Sequence, residues 1–237
     1  MKVVSFSQVD TTKYGYAAHS CVYSILVEVQ AANAQQEAAN ILQIITDLSW
    51  VNQFDVIDQQ SYLACARPTI NKIVESILSQ VGNTIEKEFG EYLVSCSAQR
   101  ALIGTFSHQP IPLAELIKEK ISGNPGFDFH TISPQELIVF GEAKYASSHS
   151  AYKEAEYQIV DFLRTENQKH LKELKELRRF TGDVPALNVT ESKFGVAAAF
   201  AIRAQNPSLI ISNAIEFSDF KNLLANSEVY IIGVHIL

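Results

Sequence analysis

The stretch Gly126-Phe127-Asp128-Phe129-His130-Thr131-Ile132, carried through Ser133-Pro134-Gln135 into Glu136-Leu137-Ile138-Val139-Phe140-Gly141-Glu142-Ala143-Lys144-Tyr145, decides the fold. Two runs rich in β-branched and aromatic residues flank a Ser-Pro turn, which predicts a hairpin with strands over 126–132 and 136–145. Strand side chains alternate, so Ile138, Phe140, Glu142 and Lys144 share one face and Leu137, Val139 and Ala143 the other. Both faces are apolar at first, which makes this a central strand covered on both sides. A Glu and a Lys at the end of such a strand are expensive to bury without partners. Asp128, on the preceding strand, can reach them across the hairpin.

Outward from the hairpin, the chain reads as an α/β domain with a mixed sheet. Upstream, a helix beginning at Thr84 carries Phe89, Tyr92, Leu93 and Cys96, and a second runs through Leu113, Leu116, Ile117 and Ile121 to a stop at 123–126. Downstream, one long helix is predicted from Ser150 to about Phe180, closed by Thr181-Gly182-Asp183. A helix over 194–204 and strands over 208–215 and 228–237 follow. Residues 1–80 read as one unit, an N-terminal α+β extension. It has strands at 3–6 and 21–29, a helix through Ala38, Ile41, Leu42, Ile45 and Leu48, and another opened by Pro68. That region has no catalytic spacing, so it is expected to serve as scaffold or partner docking surface, with 81–237 forming the chemical domain.

The chain has 237 residues, 47% of them hydrophobic and 19% charged, as expected of a globular protein with a sizeable core. No apolar run approaches the roughly 20 residues a bilayer span needs, and no signal-peptide core follows Met1. A cytoplasmic protein without membrane contact is expected. Cys21, Cys65 and Cys96 are scattered, which fits reduced thiols better than disulfides or a zinc site. The net charge of −7 is unlike a protein that grips nucleic acid unaided, since phosphate neutralisation supplies most of that affinity.

An Asp on one strand and Glu-x-Lys on the next, here Asp128, Glu142 and Lys144, resemble the central motif of the PD-(D/E)XK nuclease superfamily. The resemblance implies a restriction-endonuclease-like mixed central sheet flanked by helices. It also implies a metal-dependent endodeoxyribonuclease using Mg2+, for which Mn2+ can substitute. Asp128, Glu142 and the carbonyl of Ala143 would hold the metal, and Lys144 would orient the attacking water. The family often adds a helix glutamate before the hairpin. In Glu88-Phe89-Gly90-Glu91 either acid suits, and Glu91 is favoured. From about Thr84 to Phe180 the chain further resembles the nuclease subunit of Hachiman-type anti-phage defence systems, which implies a helicase/ATPase partner that supplies the DNA. The rival reading is a catalytically inactive adaptor of the same fold that regulates a partner.

His130 and Tyr145 are accessory candidates, His130 for metal-bound water and Tyr145, with Ser147, for the phosphate backbone. The basic run in the long helix reads first as a solvated, ion-paired face. Its functional reading is a DNA-tracking patch led by Arg178, Arg179 and Lys175. No Gly-x-Ser-x-Gly elbow, phosphate-binding glycine loop or His-Glu-x-x-His helix is present.

Overall fold

The computed structural model describes residues 1–30, 34–79, 87–117 and 126–237. Seven strands form one mixed sheet: β1 Lys2–Gln8, β2 Val22–Val29, β3 Gln109–Pro110, β4 Phe129–Ile132, β5 Ile138–Lys144, β6 Gly195–Ile202 and β7 Glu228–Ile236, in the order β1-β2-β7-β6-β5-β4-β3. The inner strands β2, β7, β6 and β5 run parallel, β1 at one edge and β4 next to β5 run against them, and the short edge strand β3 is antiparallel to β4.

Helices cover both faces. On one lie α1 (Ala34–Thr46), α2 (Val56–Ser79) and α3 (Lys87–Phe106). Ile41, Ile45, Ile70, Leu93 and Leu102 pack there against Ile25, Val139, Ala197, Ala199 and Ile232. The other face carries α5 (Tyr152–Leu163), α6 (Lys169–Thr181), α7 (Asp183–Thr190), α8 (Pro207–Glu216) and α9 (Phe220–Leu223). Ile159, Phe162, Leu177, Ile215 and Phe220 meet Ile138, Phe140, Ala198, Phe200 and Ile231. The single turn α4 (Ala114–Ile117) precedes β4. Each large side chain so buried contributes about 1.5–3 kcal/mol, and the two layers hold β5 and β6 rigidly between them.

Several elements differ from the sequence-based expectation. Residues 195–202, GVAAAFAI, form a fully buried central strand and not a helix. Alanine favours helices intrinsically, but here small side chains let α3 and α5 approach both faces, and tertiary packing outweighs propensity. Residues 207–216 form a helix and not a strand: the Asn206 side chain accepts from the Leu209 N–H, and Pro207 occupies the first turn. The expected long helix is two, broken where Gln168 adopts left-handed backbone (φ 45°). Helix α2 does not start at Pro68 but runs through it. The proposed cap Thr84, Ile121 and the stop at 123–125 lie outside the described residues. The N-terminal segment supplies an edge strand and an inner strand of the same sheet, for β2 bonds to β1 on one side and β7 on the other.

Candidate active site

The hairpin register brings the acids together. Phe129 pairs with Gly141, so Asp128 stands across from Glu142 just past the last rung of β4. Two backbone contacts lock that placement. The Asp128 N–H donates to the Gly141 carbonyl (2.9 Å), and the Ala143 N–H donates to Asp128 Oδ2 (2.8 Å). Within a strand the N–H and C=O of one residue face the same neighbour, so the Ala143 carbonyl also faces this edge, beyond the end of β4. Lys144 Nζ donates to Glu142 Oε1 at 2.5 Å. Glu142 is completely buried, whereas the Lys144 side chain is 20% exposed, so the site opens at the carboxyl end of β5. In open α/β sheets ligands favour that end.

Glycines allow the close packing. A Cβ on Gly141 would lie 2.3 Å from the Phe129 ring, and one on Gly90 would lie 2.2 Å from the ring of Tyr145. Gly90 thus seats α3 on Tyr145 and brings the next residue, Glu91, near enough for its charge to act on both Asp128 and Lys144. Glu88 begins the same helix, but its side chain lies outside the described residues.

Burial pushes Asp128 up to about 6, with Glu91 adding to the rise and Lys144 and the Ala143 N–H opposing it. Burial and then Asp128 push Glu142 well above the usual carboxylate range, with Lys144 pulling back. Burial works against the Lys144 ammonium, yet Glu142 and Asp128 hold it above the ordinary lysine value. Adjacent carboxyls in one buried site cannot both ionise cheaply, so the pair retains a proton near neutrality unless a cation replaces it. Glu142 Oε2 is buried with no hydrogen-bond partner among the described residues. Among those residues no three acidic, His or Cys side chains form a ready metal cage.

The accessory candidates fare differently. His130 is buried, and its Nε2 lies 2.8 Å from Glu173 Oε2 of α6, whose other oxygen accepts from the Phe127 N–H (3.1 Å). His130 therefore anchors α6 to β4. Tyr145 is buried against Gly90 and receives a hydrogen bond from Arg203 Nη2 at 2.5 Å. Arg178 Nε donates to Asp183 (2.7 Å), and Arg179 pairs with Asp58 of α2, so both arginines have acidic partners within the chain. Lys175 is exposed on α6.

Sequence reasoning missed Arg203, because a segment read as a helix gave no reason to place it at the sheet's end. The pairing of Glu173 with His130 likewise had no local signal. The chain matches no protein-family model, no curated protein and no solved structure.

Proposed function

We propose that the chain is a Mg2+-dependent deoxyribonuclease that hydrolyses phosphodiester bonds, using Asp128, Glu142 and Lys144 with Glu91 beside them. The observation that carries this reading is the cross-strand meeting of Asp128 and Glu142, with the Lys144 ammonium 2.5 Å from Glu142 at an open sheet end. Helix glutamate, Asp strand and Glu-x-Lys strand also follow one another as the PD-(D/E)XK resemblance implies.

The residues present suit a hard divalent cation. Two carboxyls stand face to face, and one buried oxygen of Glu142 lacks a hydrogen-bond partner among the described residues. Asp128, Glu142 and the Ala143 carbonyl would hold the ion. When bound, Mg2+ or Mn2+ supplies polarisation of the phosphate and a more acidic water. For that ion to bind, the two carboxyls would have to be ionised, which their raised pKa values oppose. Lys144 would orient the attacking water, which loses a proton to solvent as its oxygen bonds to phosphorus and a P–O ester bond breaks, and would balance the charge that develops. The leaving oxygen takes a proton from solvent.

The net charge of −7 favours DNA delivery by a partner over unaided capture. A helicase/ATPase subunit in anti-phage defence fits that requirement and the narrower Hachiman resemblance. No helix among the described residues is long and apolar enough to cross a membrane.

The test is plasmid cleavage by the chain with and without its helicase partner, in Mg2+, Mn2+ or EDTA. Cleavage that needs metal and vanishes in Lys144→Ala is expected. Cleavage that survives EDTA or Lys144→Ala would overturn the assignment. Inertness in every condition, with an intact complex, would favour the regulatory adaptor.

A further inference from the structure

We propose that Arg203, held by Tyr145, binds the DNA phosphate next to the one being cut; this rests on the nuclease reading above. Arg203 follows β6 at its carboxyl end. In the β5–β6 register Lys144 pairs with Phe200, so Arg203 lies three residues further out along the same rim. Three residues of extended chain span about 10 Å, so Arg203 lies beyond Lys144 at the same end of the sheet, against Tyr145.

Its guanidinium is half-buried, lies 5.3 Å from the centre of the Tyr145 ring and donates from Nη2 to the tyrosine hydroxyl. Nε is buried without a hydrogen-bond partner among the described residues. No carboxylate among those residues forms an ion pair with Arg203, whereas Arg178 and Arg179 each have one. A guanidinium presents five donors in a planar fork suited to two oxygens of one phosphate. With Nε buried and Nη2 already donating to the Tyr145 hydroxyl, the remaining Nη donors are the ones a phosphate would take. The Tyr145 ring cannot itself reach DNA, because it is packed under Gly90. Tyr145 is therefore a positioning residue, and the phosphate contact passes to Arg203.

Cleavage kinetics and binding of a short duplex in Ca2+, each followed across salt concentration, test the assignment. Arg203→Gln should raise KM about tenfold with kcat within twofold. It should also lower the slope of log Kd against log salt by about 0.9, the signature of one lost phosphate contact in duplex DNA. Arg203→Lys keeps the charge and should keep the slope while KM still rises, because the fork is gone. Tyr145→Phe should raise KM a few-fold at unchanged kcat. Should Arg203→Gln fail to fold, the Lys and Phe variants carry the test. Unchanged KM and slope in Arg203→Gln, alongside loss of cleavage in Lys144→Ala, would overturn this inference and leave the nuclease reading standing. Undiminished cleavage by Lys144→Ala would overturn both.

Discussion

The two ends of the sheet hold the same kinds of residue in opposite conditions. Toward the amino ends of the parallel strands, buried Glu228 accepts from the Ser133 hydroxyl (3.0 Å) and the Tyr230 hydroxyl (3.0 Å). His108 continues the chain, 3.2 Å from Tyr230 Oη and 2.8 Å from Thr131 Oγ1. Each member has a partner, so the network fixes one arrangement and asks for nothing else. At the carboxyl end, Glu142 faces a second carboxyl, shares one lysine with it and keeps an oxygen without a hydrogen-bond partner among the described residues. A buried carboxylate is tolerable where neutral donors surround it. Where it meets another acid instead, stability is forgone and an incoming cation or proton has something to bind. Burial alone does not make a site, because Glu156 on α5 is equally buried, has neither oxygen hydrogen-bonded among the described residues and is pushed up to about 9. Among the described residues Glu156 forms no ion pair, and burial favours its protonated form.

Substitutions should separate the two ends. The largest effect is expected for Glu142→Gln, which should cut plasmid cleavage by roughly 10^2- to 10^3-fold, in the range for losing one electrostatic contact at a reacting group. Its thermal stability should be equal or higher, since a buried acid is replaced by a neutral amide. A variant that unfolds while its residual activity per folded molecule is normal would erase the contrast. Glu228→Ala should do the reverse. It leaves the Ser133 and Tyr230 hydroxyls without their acceptor and should cost about 2–3 kcal/mol in urea unfolding, with cleavage unaffected below the transition. Lost cleavage in a fully folded Glu228→Ala would make the polar network part of the chemistry.

Acid should weaken the amino end. Burial holds His108 down at about 4, below its ordinary 6.5, so the folded protein binds fewer protons than the unfolded chain between those values. Stability is complete above pH 6.5 and should fall by about 3 kcal/mol as pH drops to 4, a slope that His108→Gln should remove. The smallest effect is on metal demand. Because burial raises Asp128 to about 6 and Glu142 higher, a cation bound there would have to displace a proton. The Mg2+ concentration for half-maximal cleavage should therefore fall by up to about tenfold per pH unit between pH 6 and 8. A requirement independent of pH would mean that the carboxyls hold no proton to displace.

The hairpin was legible in the sequence because its signals are local: alternation, the Ser-Pro turn, and charges at a strand end. The closing strand over 228–237 was legible for the same reason. What failed was decided by distant parts of the chain. Alanines at 197–199 and 201 are strand residues only because α3 and α5 close on them from both sides. The helix at 207–216 did carry a local signal, Asn206-Pro207, which its run of isoleucines obscured. At the site, the acids and lysine could be placed by strand alternation alone. The helix glutamate could be placed only by order along the chain, until the contact between Gly90 and Tyr145 fixed the helix against the sheet. Arg203 is at the rim through a parallel pairing that no local pattern announces.

The parallel pairing of β2 with β7 bears on how the chain reaches this state. Val22 lies beside Val229, 207 positions later (229 − 22), and β7 sits between β2 and β6. The β4–β5 hairpin can form within a few residues of chain, but the sheet's centre waits for a closure of very long range, and such closures are slow. During synthesis β2 and β6 each present an unpaired edge until residues 228–236 arrive, a condition that invites association with other chains. The acidic pair can thus assemble early, while the rigid layer behind it is finished last.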